Sequence, residues 1–208
     1  MTEEEDFERA NEKARKRKIA RDKLLATKTK EKGLLIVHTG KGKGKSTAAF
    51  GLAVRALGNG MRVGVVQFVK GKWQTGERAV LEHFPDQVEI KTMGEGFSWE
   101  TQDRARDIRA AKAAWDASKA MIEACRGAEP KYDMIVLDEL NIPLRYDHLP
   151  IEEVLEALNA KPEMLHVVVT GRNAKPELIE AADLVTEMTQ VKHPFREQGV
   201  KAQKGIEF

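Results

Sequence analysis

The sequence holds one cysteine, Cys125, in 208 residues. A single thiol closes no internal disulfide and supplies no cysteine-based zinc site, and free cysteine behaves mostly as a small buried hydrophobe. Long hydrophobic runs are also missing. The most apolar stretches, Leu34–Val37, Met134–Leu137 and Val167–Val169, fall far below the roughly 20 residues that span a bilayer, so no membrane association is expected. The Glu-rich start has no apolar block behind its charges, so a secretory signal is not expected and the expected location is the cytoplasm. Net charge is nearly absent, at +2. Residues 1–32 carry 11 Lys and Arg against 8 Asp and Glu, and the remainder carries 24 against 25. A neutral body lacks the basic excess of a nucleic-acid-binding face, so no nucleic-acid partner is expected.

Glycine and proline are absent from the first 32 residues, which are rich in Glu, Lys, Arg and Ala, all good helix formers. Phe7, Ala10, Ala14, Ile19 and Leu24–Leu25 give only a thin apolar stripe, so residues 1–32 read as a charged, solvated N-terminal helical extension. From Gly33 to the end the pattern changes. Apolar runs at Leu34–Thr39, Arg62–Val69, Val88–Thr92, Tyr132–Leu137, His166–Thr170 and Leu184–Thr189 read as strands. They alternate with helices expected over Ser46–Leu57, Glu77–Phe84, Thr101–Arg126, Ile151–Leu158 and Glu177–Ala182. Strands alternating with helices, several of the strands uniformly apolar, make residues 33–208 one α/β domain, a mostly parallel sheet flanked by helices.

The strongest local signal is the run Thr39-Gly40-Lys41-Gly42-Lys43-Gly44-Lys45-Ser46-Thr47, lying between the first strand and its helix. Glycines let backbone N–H groups turn inward, the helix N-terminus adds positive potential, and Lys45 can reach outer phosphate oxygens. Residues Gly40 to Thr47 are therefore expected to bind the polyphosphate of ATP, with the Ser46 hydroxyl on Mg²⁺ or Mn²⁺. The ordinary spacing G-x-x-x-x-G-K-[ST] calls for glycine at position 39, where this chain has Thr39, so the loop is one residue shorter. A second element agrees with the first. The strand ending Leu137-Asp138-Glu139 delivers two carboxylates where open α/β sheets form their ligand crevices. Asp138 and Glu139 are the expected metal partners, with Glu139 also able to serve as a base. Together these features make the fold class P-loop NTPase-like, of the RecA-like kind.

Five histidines, His38, His83, His148, His166 and His193, are scattered with no metal-ligand spacing among them, and core or surface roles are expected for each. No G-x-S-x-G is present for Ser/His/Asp chemistry. Gly94-Glu95-Gly96-Phe97-Ser98-Trp99-Glu100-Thr101-Gln102 places two large aromatics beside flexible glycines, which on packing grounds alone could be core anchors.

Taken together, the glycine loop, Val136-Leu137-Asp138-Glu139-Leu140 and the Gly-Phe-Ser-Trp-Glu-Thr-Gln segment resemble the corrinoid adenosyltransferases of bacterial adenosylcobalamin synthesis. The likeness continues through Val66-Gln67-Phe68-Val69-Lys70-Gly71, Val169-Thr170-Gly171-Arg172, Val191-Lys192-His193 and Gly199-Val200-Lys201-Ala202-Gln203-Lys204-Gly205-Ile206, and so covers residues 33–208 in order. The shortened loop is the family's own form. The family more often has Asn at the place of Lys41 and often Thr at that of Ser46.

The resemblance implies transfer of the 5′-deoxyadenosyl group of ATP to the cobalt(I) of a corrinoid, with inorganic triphosphate leaving. It also implies a triphosphate lying reversed in the loop, so that C5′ is exposed instead of the γ-phosphate. Phe97 and Trp99 map onto aromatics that pack beneath the corrin ring and exclude its lower axial ligand, which eases reduction of cobalt(II). With Lys45 they form the expected catalytic set. An external reduced flavin or flavoprotein would supply electrons, and a homodimer is implied. Two rival readings remain at this stage: a P-loop ATPase or kinase using the Asp138–Glu139 pair, which would release ADP, and a nucleotide-gated binding module without catalysis.

Overall fold

The structure, a computed structural model, describes residues 3–69, 75–93 and 103–207. The chain forms two compact units, Met1–Glu31 and Lys32–Phe208. In the first, helix α1 (Glu3–Ala26) buries none of its residues, as its charge and thin apolar stripe require. Its first turn holds Glu3, Glu4, Glu5 and Asp6 and its last turn Lys23, the distribution that suits the helix dipole. Glu12 and Lys16 add an ion pair of 2.7 Å one turn apart.

In the second unit, strands β1 (Leu35–Thr39), β2 (Val63–Gln67), β3 (Val88–Thr92), β4 (Met134–Asp138), β5 (His166–Thr170) and β6 (Leu184–Glu187) form one sheet. Their order is β3-β2-β4-β5-β1-β6, and all five pairings are parallel. The helices are α2 (Lys45–Gly58), α3 (Gly76–Leu81), α4 (Arg104–Glu123), α5 (Asn141–Arg145), α6 (Ile151–Asn159), α7 (Pro176–Ala181) and α8 (Pro194–Gln198). The expected α/β class with a parallel sheet is what the chain adopts. One strand, β5, separates β1 from β4, so the strand feeding the glycine loop and the strand ending in the acid pair are not neighbours.

The four central strands β1, β2, β4 and β5 are almost wholly buried because helices cover the sheet there on both faces, while the edge strands β3 and β6 are more polar and more exposed. Leu35 and Val37, Ile135 and Leu137, and Val167 and Val169 face Ala111, Trp115 and Ile122 of α4 and Val154 and Leu158 of α6. The alternate residues Ile36, Val136 and Val168, with Val63 and Val65, face Ala49, Phe50 and Ala53 of α2 and Leu81 of α3. Helix α4 starts where the Asp103 side chain accepts the Arg106 N–H at 3.0 Å, an N-cap of the kind worth about 1 kcal/mol. Trp115, 1% exposed, donates its indole N–H to Glu153 of α6 at 3.1 Å, and Cys125 is buried as expected. Helices α5 and α8, five residues each, are too short to show a periodic signal in sequence. Among the described residues no helix is long and apolar enough to cross a membrane.

Candidate active site

Parallel pairing carries the C-terminal ends of all six strands to one edge of the sheet, and the residues ending them are polar: Thr39, Gln67, Thr92, Asp138, Thr170 and Glu187. Open parallel sheets bind ligands along this edge. From it β1 runs into the loop Gly40–Gly44 and then α2. Gly44, with φ 102°, occupies the N-cap and no side chain caps the helix there. The first helical bond runs from Ala48 N–H to Gly44 O at 2.8 Å, so the N–H groups of Lys45, Ser46 and Thr47 have no acceptor within the helix. Together with the helix dipole they form a seat for an anion.

Two of the loop glycines answer to a protein neighbour rather than to a ligand. A Cβ on Gly40 would lie 2.4 Å from the Met188 carbonyl oxygen, and one on Gly42 would lie 2.7 Å from the same atom. The Gly42 N–H is donated to Met188 O at 2.7 Å, and Met188 N–H to Thr39 O at 2.9 Å. Residues 188 and 189, expected from sequence to extend β6, instead leave the sheet and brace the loop. One amide expected to face phosphate is thereby committed to the protein.

Lys45 is 6% exposed and its ammonium donates to Gly42 O. Burial pushes its pKa below the usual lysine range, Glu139 opposes that shift, and Arg172 and Lys43 reinforce it. These four charges therefore share one neighbourhood, in which a buried cation lacks the solvation that a phosphate oxygen could replace. Lys43 is exposed and forms an ion pair with Glu207 near the C-terminus. Lys41 and Thr47 are exposed, and Ser46 is half-buried.

Asp138 is fully buried. Its Oδ1 accepts the Thr170 hydroxyl at 2.8 Å and its Oδ2 the Gln67 amide at 3.3 Å. The next residue, Glu139, has φ 65°, a left-handed conformation that costs a non-glycine residue about 1–2 kcal/mol. Its N–H is donated to Thr170 Oγ1 at 2.9 Å, and its carboxylate lies beside Gly171. The strained residue turns the chain sharply from β4 into α5, so the two carboxylates leave the strand on different paths. Asp138 stays inside the sheet edge, while Glu139 stands among the cations.

The histidines take the core and surface roles expected. Burial lowers the pKa of His38, and neither of its ring nitrogens has a hydrogen-bond partner among the described residues. His166 Nδ1 accepts the Leu34 N–H at 3.1 Å. Phe97 and Trp99 lie outside the described residues.

Residues 31–208 match the family described as ATP:corrinoid adenosyltransferase BtuR/CobO/CobP. The chain belongs to this family. A corrinoid adenosyltransferase from Sinorhizobium sp. is 55% identical over 207 residues, covering 99% of this chain and 94% of the relative. One from Pseudomonas aeruginosa is 52% identical, covering 98% of each chain. The corrinoid adenosyltransferase CobA of Salmonella typhimurium is 48% identical, covering 97% of this chain and 98% of its own. Membership in the family decides against the rival ATPase or kinase reading and makes the chain an enzyme that uses ATP to alkylate a corrinoid. Three site residues escaped the reasoning from sequence. Arg172, Gln67 and Thr170 stood only as parts of motifs, and the last two gain their roles from the strand order, which brings β2 and β5 to either side of Asp138.

Proposed function

We propose that this edge of the sheet binds ATP through its triphosphate and directs C5′, not the γ-phosphate, toward a corrinoid. The observation that carries the reading is the buried Lys45 ammonium beside the uncapped N-terminus of α2 at the mouth of the glycine loop, where Arg172 and Lys43 add positive charge. Cations gathered around a leaving triphosphate are what the transfer requires, since negative charge develops there as the C5′–O bond breaks. The cobalt(I) of the substrate provides the electron pair for the new Co–C bond, and the C5′–O pair departs with the triphosphate. Lys45, Arg172 and the N–H groups opening α2 hold that product. Phe97 and Trp99 pack under the corrin and exclude its lower ligand, and a reduced flavin or flavoprotein delivers the electrons.

The residues present suit Mg²⁺. Ser46, Asp138 and Glu139 offer hard oxygen donors, and Mg²⁺ is commonly held by one or two carboxylates plus substrate phosphates. No group of three or more His, Cys, Asp or Glu among the described residues could hold a metal alone, in keeping with an ion that arrives with its nucleotide. When bound, Mg²⁺ supplies further neutralisation of the triphosphate. Glu139 and Ser46 would hold the ion, and Asp138, whose two oxygens each accept a hydrogen bond, would reach it through bound water. Asp138→Asn and Glu139→Gln should each raise the Mg²⁺ concentration needed for half-maximal activity, and added metal should restore at least one of them. Unchanged metal dependence in both variants would make the pair a structural strand end.

The direct experiment follows Co–C bond formation by absorbance with ATP, Mg²⁺, a corrinoid and a strong reductant, and identifies the phosphate product. Inorganic triphosphate in step with Co–C bond formation is the expected result, and ADP would overturn it. Trp99→Ala and Phe97→Ala should retain ATP binding but lose activity most when the corrinoid is supplied as cobalt(II), and less when cobalt(I) is generated beforehand. Equal loss with both cobalt states in stable variants would refute the ligand-exclusion role. Loss of ATP binding together with lower melting temperature would instead mark the aromatics as core residues.

A further inference from the structure

The hydrogen bond from Gln67 to Asp138 is the last of a series. On α3, Arg78 Nη1 donates to Thr92 Oγ1 at 3.2 Å. The Thr92 hydroxyl donates in turn to Gln67 Oε1 at 3.1 Å, and Gln67 Nε2 donates to Asp138 Oδ2 at 3.3 Å. Every proton in the series points toward the carboxylate. A side-chain amide can face a carboxylate with either its oxygen or its nitrogen, and only the nitrogen attracts. Because Thr92 occupies the amide oxygen with a donor, the nitrogen is left facing Asp138. Gln67 is 3% exposed and Asp138 fully buried, so water does not compete for these bonds and the low local dielectric strengthens them. On the other side, the Thr170 hydroxyl that holds Oδ1 also accepts the Glu139 N–H, so the same geometry extends to the second acid.

We propose that Thr92 and Gln67, anchored by Arg78, are positioning residues that fix the Asp138 carboxylate for metal-bound water. This rests on the reading of Asp138 as a partner of the metal that accompanies ATP. The series joins three parallel strands, β3, β2 and β4, at matching register: Thr92 lies opposite Gln67, and Gln67 opposite Asp138. It links the metal carboxylate to α3, a helix that contributes nothing else to the site among the described residues. Thr92→Val keeps the shape of the side chain but removes the donor, leaving the Gln67 amide oxygen unpartnered and the amide no longer held in place against Asp138. Groups that orient a metal partner without touching the ion commonly matter by 10–100-fold in metal affinity.

The test measures ATP affinity of the full chain by calorimetry with and without Mn²⁺, taking the ratio of the two as the contribution of the metal. Asp138→Asn and Thr92→Val should each lower that ratio about tenfold, Thr92→Val should leave metal-free ATP affinity unchanged, and Thr92→Ser, which restores the donor, should recover the ratio. Arg78→Ala alters a half-exposed side chain one hydrogen bond further from the carboxylate and should lower the ratio by less than Thr92→Val does, so it serves if Thr92→Val proves poorly folded. An unaltered ratio in Thr92→Val and Arg78→Ala, with Asp138→Asn impaired, overturns the positioning role alone. An unaltered ratio in Asp138→Asn overturns the metal reading and the positioning role together. Equal loss of metal-free binding, or failure of Thr92→Ser to recover, also overturns the proposal, because a strand-end defect and not carboxylate orientation would then explain the data.

Discussion

Lys45→Ala is expected to weaken ATP binding at least tenfold and to abolish turnover, while the nucleotide-free protein stays folded. Charge-assisted hydrogen bonds are worth about 1.5–3 kcal/mol, and 1.4 kcal/mol corresponds to about a factor of ten. The ligand-free consequence has the opposite sense. Lys45 is a buried cation whose charge is disfavoured by desolvation and by Arg172 and Lys43, so removing it relieves a cost that the protein bears only in the absence of an anion. The melting temperature without nucleotide should therefore be no lower than that of the parent, and the rise produced by ATP should vanish. A variant that still melts higher with ATP by the parental amount would show that the loop does not hold the phosphates.

Gly40→Ala should be among the most damaging single-methyl changes in the chain. Gly40 has φ 97°, a region that penalises an L side chain by about 1–2 kcal/mol, and the new Cβ would meet Met188 O at 2.4 Å. One of the two backbones must shift, so the total cost is about 2–4 kcal/mol, and ATP affinity falls with it because the loop leaves its place. Gly51→Ala makes an informative companion. Gly51 lies in α2, where an added Cβ meets nothing within 4 Å, and alanine is the better helix former by about 1 kcal/mol. Thermal melts of the two variants should therefore move in opposite directions from the parent. If Gly40→Ala melts with the parent and binds ATP, the bracing of the loop by residues 188 and 189 has no energetic weight.

The central strands were legible in sequence because a sheet covered on both faces demands nearly unbroken apolar runs, and His166–Thr170 and the alternating edge strand Val88–Thr92 both end where the pattern says they should. The glycine loop and the acid pair were legible because their chemistry is local: a turn, a lysine and a helix start are adjacent in the chain. What sequence could not show is anything that depends on which strands become neighbours. Gln67 stands in sequence only as a polar residue inside the run Arg62–Val69 until β2 lies beside β4, and Thr170 as a strand end until β5 lies between β4 and β1. Gly40 and Gly42 were legible as necessary but for an incomplete reason. Their spacing speaks of phosphate, whereas the structure adds a backbone that arrives from residues 188 and 189 and would collide with any side chain there.

That bracing has a consequence for how the enzyme is made. Strand β1 and its glycine loop leave the ribosome early, yet the strands on both sides of β1 are β5 and β6, and the loop rests on Met188 and Thr189. A nascent chain that stops short of His166 carries the whole nucleotide motif with neither of the strands that shape it. Contacts between segments so distant form late and slowly. ATP therefore cannot lend stability to the chain during most of its synthesis, and products ended early, although they keep every residue of the loop, are left as substrates for chaperones and proteases.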